Sequence, residues 1–344
     1  MSILDSLKPE FQPVFPRLAS GKYIHFIMLR HSQSFPVFQT EGILNTAPTQ
    51  AGLKTQNKIN RLVMFKRKQV SPERLVGREL LRSLSLIDSE DREAKNFCRY
   101  GGELFCGKCP DCILYGFAVG DSGSERSKLY SDSAFSLSQY EQSHKSFTFN
   151  ALSEAGTMML DSDDPKRTET NKTRSSINEQ DHILPEVTFP TVETLRDATY
   201  EGFIYVLGNL LRTRRYGAQE SRTGTMANHI IGIAFCDGEI FSNLHFTQAL
   251  YDALKPDINA PIGDVIDKAT EVATNLLNQE PVRRNQVIVR SQLTELLEEV
   301  AGIYQDETQL RSTLTTLYEQ TQNYAQTYGA RTKDKGKGKG KSAS

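Results

Sequence analysis

Two things are missing from this 344-residue chain: a long apolar run and a net charge. No stretch approaches the roughly 20 apolar residues needed to cross a bilayer. The opening segment MSILDSLKPEFQPVF has neither the basic head nor the apolar core of a secretory leader. Both absences predict a cytoplasmic protein with no membrane partner. The 41 Lys and Arg face 42 Asp and Glu, a formal charge of −1, which excludes a uniformly basic protein. Apolar residues are sparse at 38%, yet 17 Phe and 13 Tyr argue for a buried core rather than a disordered chain. Cysteine is scarce as well, with five in all. In a reducing compartment these are ligands, nucleophiles or core residues before they are disulfides.

The neutral total conceals blocks. Residues 54–82 hold nine Lys or Arg against Glu73 and Glu79, a local +7. Residues 212–222 hold Arg212, Arg214, Arg215 and Arg222 against Glu220, a local +3, and the tail from Arg331 carries +5. The rest of the chain carries −16. This distribution suits a polyanion-binding face on an acidic body; chance clustering of solvated charge is the competing reading.

Residues 23–30 (YIHFIMLR), rich in aromatic and branched side chains, predict a strand. Residues 31–60 form a long polar excursion, and 61–70 (RLVMFKRKQV) predict the next strand, basic at its end. Ser71-Pro72-Glu73 predicts a helix start, with Leu75, Val76, Leu80 and Leu84 following at helical spacing. Arg74, Arg78 and Arg82 recur every four residues as a charged ridge. Residues 127–140 alternate like a strand, whereas 141–185 are polar and too long for an ordinary connection. A helix is predicted over 191–212, a buried strand over 228–236, and a hairpin-like turn at Asp237-Gly238-Glu239. Residues 243–328 are mainly helical, and the Lys-Gly tail from 329 to 344 has no apolar content. This order predicts an α+β fold with a ferredoxin-like or RNA-recognition-motif core and a helical lobe.

Cys98, Cys106, Cys109 and Cys112 carry the sharpest chemical signal. Overlapping Cys-x-x-Cys pairs and an upstream cysteine can close a tetrahedral thiolate site of the kind zinc prefers. An iron–sulfur cluster and redox thiols are the alternatives, although the fourth Cys and Pro of the bacterial ferredoxin run are missing. Cys236 lies in an apolar run and is expected in the core. Gly120-Asp121-Ser122-Gly123 imitates a protease motif, but no His base or buried Asp stands upstream in the required context. The Gly-Lys-Gly-Lys-Ser of the tail lacks the strand and helix a phosphate loop needs. Asp161, Asp163 and Asp164 could hold a hydrated cation, though acids in a polar loop are more often simply solvated. Basic residues over 61–82 and 212–224 can meet successive phosphates, with Phe35, Phe38 and Phe65 as candidate stacking surfaces.

Four segments, SFPVFQTEGILNT, FKRKQVSPERLVGRELLRSL, FCGKCPDCILYGFAVG and NLLRTRRYGAQESRTG, together resemble the backbone subunit of the type I-D CRISPR effector complex (Cascade). The resemblance extends over roughly residues 20–290. It implies a modified RNA-recognition-motif core with a structural-zinc insertion, a helical lobe and a protruding thumb. On that basis, 20–86 begins the core with a lid-like excursion at 31–60, and 88–117 is the zinc-binding insertion. Residues 118–140 return to the core, 141–185 are thumb-like, and 186–242 complete the core. The helical lobe spans 243–328, and 329–344 is a flexible tail. The resemblance also implies several copies polymerising along one guide crRNA that pairs with a target strand, together with other effector subunits. Carried onto this sequence, the guide-gripping positions are Lys66, Arg67, Lys68, Arg74, Arg78, Arg212, Arg214, Arg215 and Arg222. The zinc ligands are Cys98, Cys106, Cys109 and Cys112, and no catalytic residue is implied. Two alternatives stay open: a metal-dependent endonuclease using Asp161, Asp163 or Asp164 on the target strand, and a stand-alone zinc-containing RNA-binding protein.

Overall fold

The computed structural model describes residues 2–120, 123–150, 177–217, 221–255 and 257–329. A short helix α1 (Ile3–Ser6) precedes the long strand β1 (Tyr23–Ser32). The excursion that follows folds into β2 (Gln39–Thr40), β3 (Ile43–Leu44) and β4 (Thr46–Gln50), then β5 (Lys58–Met64) and helix α2 (Lys66–Ser83). The cysteine-rich insertion contains α3 (Pro110–Leu114) and leads to the paired strands β6 (Phe117–Val119) and β7 (Gly123–Glu125). Next come β8 (Leu129–Ser131), β9 (Ala134–Gln139), α4 (Tyr140–Ser143) and an antiparallel ribbon of β10 (His144–Asn150) and β11 (Ile177–Ile183). Strand β12 (Thr188–Arg196), helix α5 (Tyr200–Arg212) and strand β13 (Met226–Cys236) follow. The C-terminal part holds α6 (Asn243–Leu254), α7 (Ile262–Gln279), β14 (Arg284–Val289), α8 (Arg290–Gln305) and α9 (Glu307–Tyr328).

Strand β1 lies at the centre of a five-stranded sheet ordered β14-β13-β1-β12-β8, with every neighbouring pair antiparallel. Alternate side chains of a strand point to opposite faces, and here both faces are covered. Ile24, Phe26 and Met28 join a core with α2, α5, α8, α9 and the cysteine insertion. Ile27 and Leu29 pack instead with Phe246 and Leu250 of α6 and Val265, Ala269 and Leu276 of α7. A second sheet, β4-β5-β9, carries a third core around Phe38, Leu62, Met64, Tyr216 and Met226. Caps fix the helix starts: Thr199 Oγ1 accepts from the Gly202 N–H at 3.2 Å, and Asp306 accepts from Thr308 and Gln309 at 2.9 and 3.0 Å. Among the described residues no helix is long and apolar enough to cross a membrane.

Several sequence expectations are corrected. The strand expected over 61–70 ends at Met64, and Lys66 already opens α2, so Pro72 lies inside the helix rather than at its start. Proline has no N–H to give the carbonyl four residues back; the Gly217 N–H takes the Lys68 carbonyl instead, at 3.3 Å. The helix expected over 191–212 begins only at Tyr200, because Thr188–Arg196 forms β12. That strand is buried on both faces, which erases the polar–apolar alternation that would have marked it. Asp237-Gly238 leads into α6 rather than turning a hairpin, and β14 interrupts the stretch expected to be helical. The alternating run at 127–140 divides between two sheets, β8 in one and β9 in the other.

One buried network fixes the relative position of the parts that matter below. Arg30, fully buried in β1, donates to Glu73 of α2 at 2.8 Å and to Glu193 of β12 at 2.7 Å, and lies 4.7 Å over the Tyr216 ring. Tyr216 donates to the same Glu73 oxygen at 3.0 Å and receives a hydrogen bond from Asn228 at 2.6 Å. Burial and the neighbouring Glu73 charge push the Glu193 carboxyl well above the usual carboxylate range.

Candidate metal centre and nucleic-acid interface

The four clustered cysteines converge. Their sulfurs all lie within 4.8 Å of one another, and Cys98, Cys109 and Cys112 are fully buried. Cys98 Sγ is 3.7 Å from both Cys109 and Cys112, and Cys106 Sγ is 3.9 Å from Cys112. Metal–sulfur bonds of about 2.3 Å in a tetrahedron give sulfur–sulfur edges of about 3.8 Å, so the spacing fits one mononuclear ion. Local chain geometry builds the site: Cys109 is the N-cap of α3 and Cys112 lies within that helix. Gly107, at φ +67°, makes the left-handed turn between Cys106 and Cys109. This turn aims the Lys108 and Cys109 N–H groups at Cys106 Sγ, at 3.4 and 3.3 Å, while the Cys106 N–H points at Cys98 Sγ at 3.4 Å. Hydrogen bonds from Cys106, Cys109 and Cys112 hold the Cys98 thiol low, whereas burial pushes Cys109 well up. A bound cation is what lets four such sulfurs be thiolates together.

Arg74 and Arg78, expected to grip phosphates, belong to this centre instead. Arg74 makes a two-pronged bond to Asp111, at 2.9 and 2.8 Å, and donates to the Gly116 carbonyl at 3.0 Å. Its guanidinium is stacked near Tyr100, Phe105 and Tyr115. Arg78, fully buried, donates to Asp111 at 2.7 Å, to the Cys98 carbonyl at 2.6 Å and to Cys98 Sγ at 3.4 Å. Neither is available to a strand outside. Arg74 and Arg78 of the ridge face inward because Asp111, enclosed with the sulfurs, must be paired, whereas Arg82 stays exposed.

The other expected contacts do gather. Lys66 and Arg67 are exposed and Lys68 is half-buried on the first turn of α2. The N-cap of that helix, Phe65, is 44% exposed and supplies no capping side chain. The Gly217–Lys68 backbone bond ties this turn to the loop of Arg214, Arg215 and Arg222, all exposed. Tyr216, between Arg215 and Gly217, is the buried anchor of that loop, and Arg215 donates to the Thr223 carbonyl across it. The loop continues into β13 beside the end of β1, where Ser32 faces Met226. His31 and His229 stand there with ring centroids 6.1 Å apart. Burial lowers the His229 pKa, with the Arg214 charge adding to it. Arg212 sits to one side, 5.8 Å over Tyr304 of α8.

Of the candidate stacking rings, Phe38 is core and unavailable, Phe65 is exposed, and Phe35 packs edge-on against Phe147 of the β10–β11 ribbon at 5.1 Å. Within 141–185 the described parts are α4 and this ribbon. Asp161, Asp163 and Asp164, like the tail beyond Gly329, lie outside the described residues.

A family model described as Csc2 Crispr matches residues 10–314. The fold is similar to the crystal structure of Thermofilum pendens Csc2, with a TM-score of 0.57 and 16% identity, over 94% of this chain and 96% of that one. Two further structures are more distant. A CRISPR RNA-guided surveillance complex has TM-score 0.45 and 13% identity, over 76% of this chain and 87% of that one. The same kind of complex in a pre-nicking form has 0.43 and 10%, over 76% and 90%. No curated protein matches the chain. At such identities the structural likeness speaks for the fold alone, and the family match covers most of the sequence. The chain belongs to the Csc2 CRISPR family.

Proposed function

We propose that this protein is a guide-binding backbone subunit of a type I-D CRISPR effector complex, several copies of which line up along one crRNA and present it to a target strand. Zinc is the ion we assign to the four cysteines, since a closed tetrahedral thiolate set is its preferred structural site. There it would staple an insertion too small for a core of its own. The protein's share of the work is charge and position. Guide sequences vary, so a holder must read phosphates and riboses and ignore base edges.

One observation carries the reading: the Gly217–Lys68 bond ties the first turn of α2 to the described residues 214–217, far along the chain, and we take the two as one cationic seam. Lys66, Arg67, Lys68, Arg214, Arg215 and Arg222 would grip the backbone, with Arg212 at the margin. The strand succession supports it. β1-α2-β8-β12-α5-β13, with β1 and β12 adjacent at the centre, is the β-α-β-β-α-β plan of ferredoxin-like and RNA-recognition-motif folds. Such a motif stacks bases on its open sheet face, but α6 and α7 cover that face here. Contacts therefore fall to the strand ends and loops, where the seam lies. The β10–β11 ribbon, touching Phe35 beside this seam, suits a thumb set against the guide.

Charge reversal of Lys66, Arg67 and Lys68 to Glu tests the seam. Binding should weaken alike for unrelated guide sequences, and the slope of log affinity against log salt should fall by about 2 for three lost single-strand contacts. A loss confined to some sequences, or an unchanged slope, contradicts it.

A further inference from the structure

Helix α2 has two kinds of cation, solvent-facing at its first turn and enclosed further along. Its first turn holds the exposed Lys66 and Arg67 and the half-buried Lys68, and two to three turns further along Arg74 and Arg78 point inward to the cysteine cluster. The inward pair does more than satisfy Asp111. Arg78 bridges the Asp111 carboxylate and Cys98 through both its sulfur and its carbonyl. Arg74 braces Asp111 from the other side and reaches the Gly116 carbonyl just beyond α3.

Four thiolates around a divalent ion leave a charge of −2 in a buried place, and Asp111 adds another negative charge beside it. Burying such charge is costly without cations at contact distance. The two guanidiniums supply +2, and N–H···S bonds from Cys106, Lys108 and Cys109 share in spreading what remains. Partners outside the ligand shell orient ligands and set metal affinity. We propose that Arg78, braced by Arg74 through Asp111, is an outer-sphere positioning residue of the metal centre, and that through this contact metal loading fixes the helix whose first turn carries Lys66, Arg67 and Lys68. The first half concerns the metal alone. The second half rests on the guide-binding reading above.

The test uses the full chain. Zinc affinity is measured by competition with a chromophoric chelator, and cobalt(II) substitution reports the thiolate ligand field. Arg78→Met should lower zinc affinity at least about tenfold and alter the cobalt spectrum. Arg74→Met should cost less, because it touches no sulfur, and Arg82→Gln, exposed on the same helix, should leave affinity unchanged. Zinc affinity for Arg78→Met equal to that of Arg82→Gln overturns the proposal. If Arg78→Met does not fold, Arg78→Lys decides: it keeps the charge but cannot span Asp111 and Cys98, so an affinity equal to the parent overturns the bridging role.

The coupling is read separately, with a mixed-sequence single-stranded RNA as probe. Chelation should weaken RNA binding by the parent, since it removes the ion that holds the insertion against α2. Arg78→Met should show that loss at limiting zinc and recover it in excess zinc. RNA binding that ignores zinc in the parent overturns the coupling. A parent that binds no RNA sinks the guide-binding reading, while the zinc arm still decides the role of Arg78.

Discussion

His25 sits fully buried in β1, with Nε2 donating to the Gly238 carbonyl at 3.0 Å and Nδ1 accepting from Thr194 Oγ1 at 2.8 Å. That arrangement fits the neutral ring, and burial brings its pKa down from 6.5 to about 4. The folded state therefore binds fewer protons than the unfolded state between those values. The stability this contributes is present above pH 6.5 and is lost as pH falls toward 4, by about 3 kcal/mol at 1.36 kcal/mol per unit. Urea unfolding of His25→Gln should show a correspondingly flatter decline over that window than the parent; equal declines would contradict it. Arg61 makes a related point. It spends its donors on Thr49 and on the carbonyls of Ala51, Ser136 and Leu137, and it lies 5.3 Å from the Tyr251 ring centroid. Three members of the basic block at 54–82, namely Arg61, Arg74 and Arg78, are thus internal. A sequence exposes charge but not the partner that buries it. The cysteine ligands were legible because their spacing is itself the geometry; the arginines were not, because their carbonyl and carboxylate partners come from distant segments.

At the scale of elements, α2 and α5 approach closely at Gly77. A Cβ there would fall on Tyr205 and Asn209 of α5, and neither can retreat from a fully buried position. Gly77→Ala should destabilise the fold by about 1–3 kcal/mol, read as a lowered urea midpoint with an unchanged slope. It should leave zinc affinity in the folded protein as it was. A neutral result would mean the two helices slide freely, contrary to the packing described. Helices with one apolar face, such as α8 and the Asp306-capped α9, were readable from periodicity alone. Strand β12 was not, because burial on both faces removes its alternation, and β14 was too short and too edge-bound to stand out from the helices around it. The join between α2 and the 214–222 loop was equally invisible, since it depends on a proline that frees a carbonyl for a glycine far along the chain.

For the whole molecule, the near-zero net charge is the sum of unlike regions. Once the inward arginines are set aside, Lys66, Arg67, Arg214, Arg215 and Arg222 are exposed on the proposed seam, and the remaining exposed cations are spread over the rest of the described surface. The seam lies at the end of the sheet where β1 finishes and β13 starts. On the proposed function, such a surface would hold a nucleic-acid backbone of any sequence, and a backbone subunit would need repeated copies of it to cover one guide. The direct measurement is the mass of complexes formed with guide RNAs of increasing length, by light scattering or native mass spectrometry at saturating protein. The account predicts that the number of protomers per RNA rises in proportion to length. A single protomer per RNA at every length would contradict it.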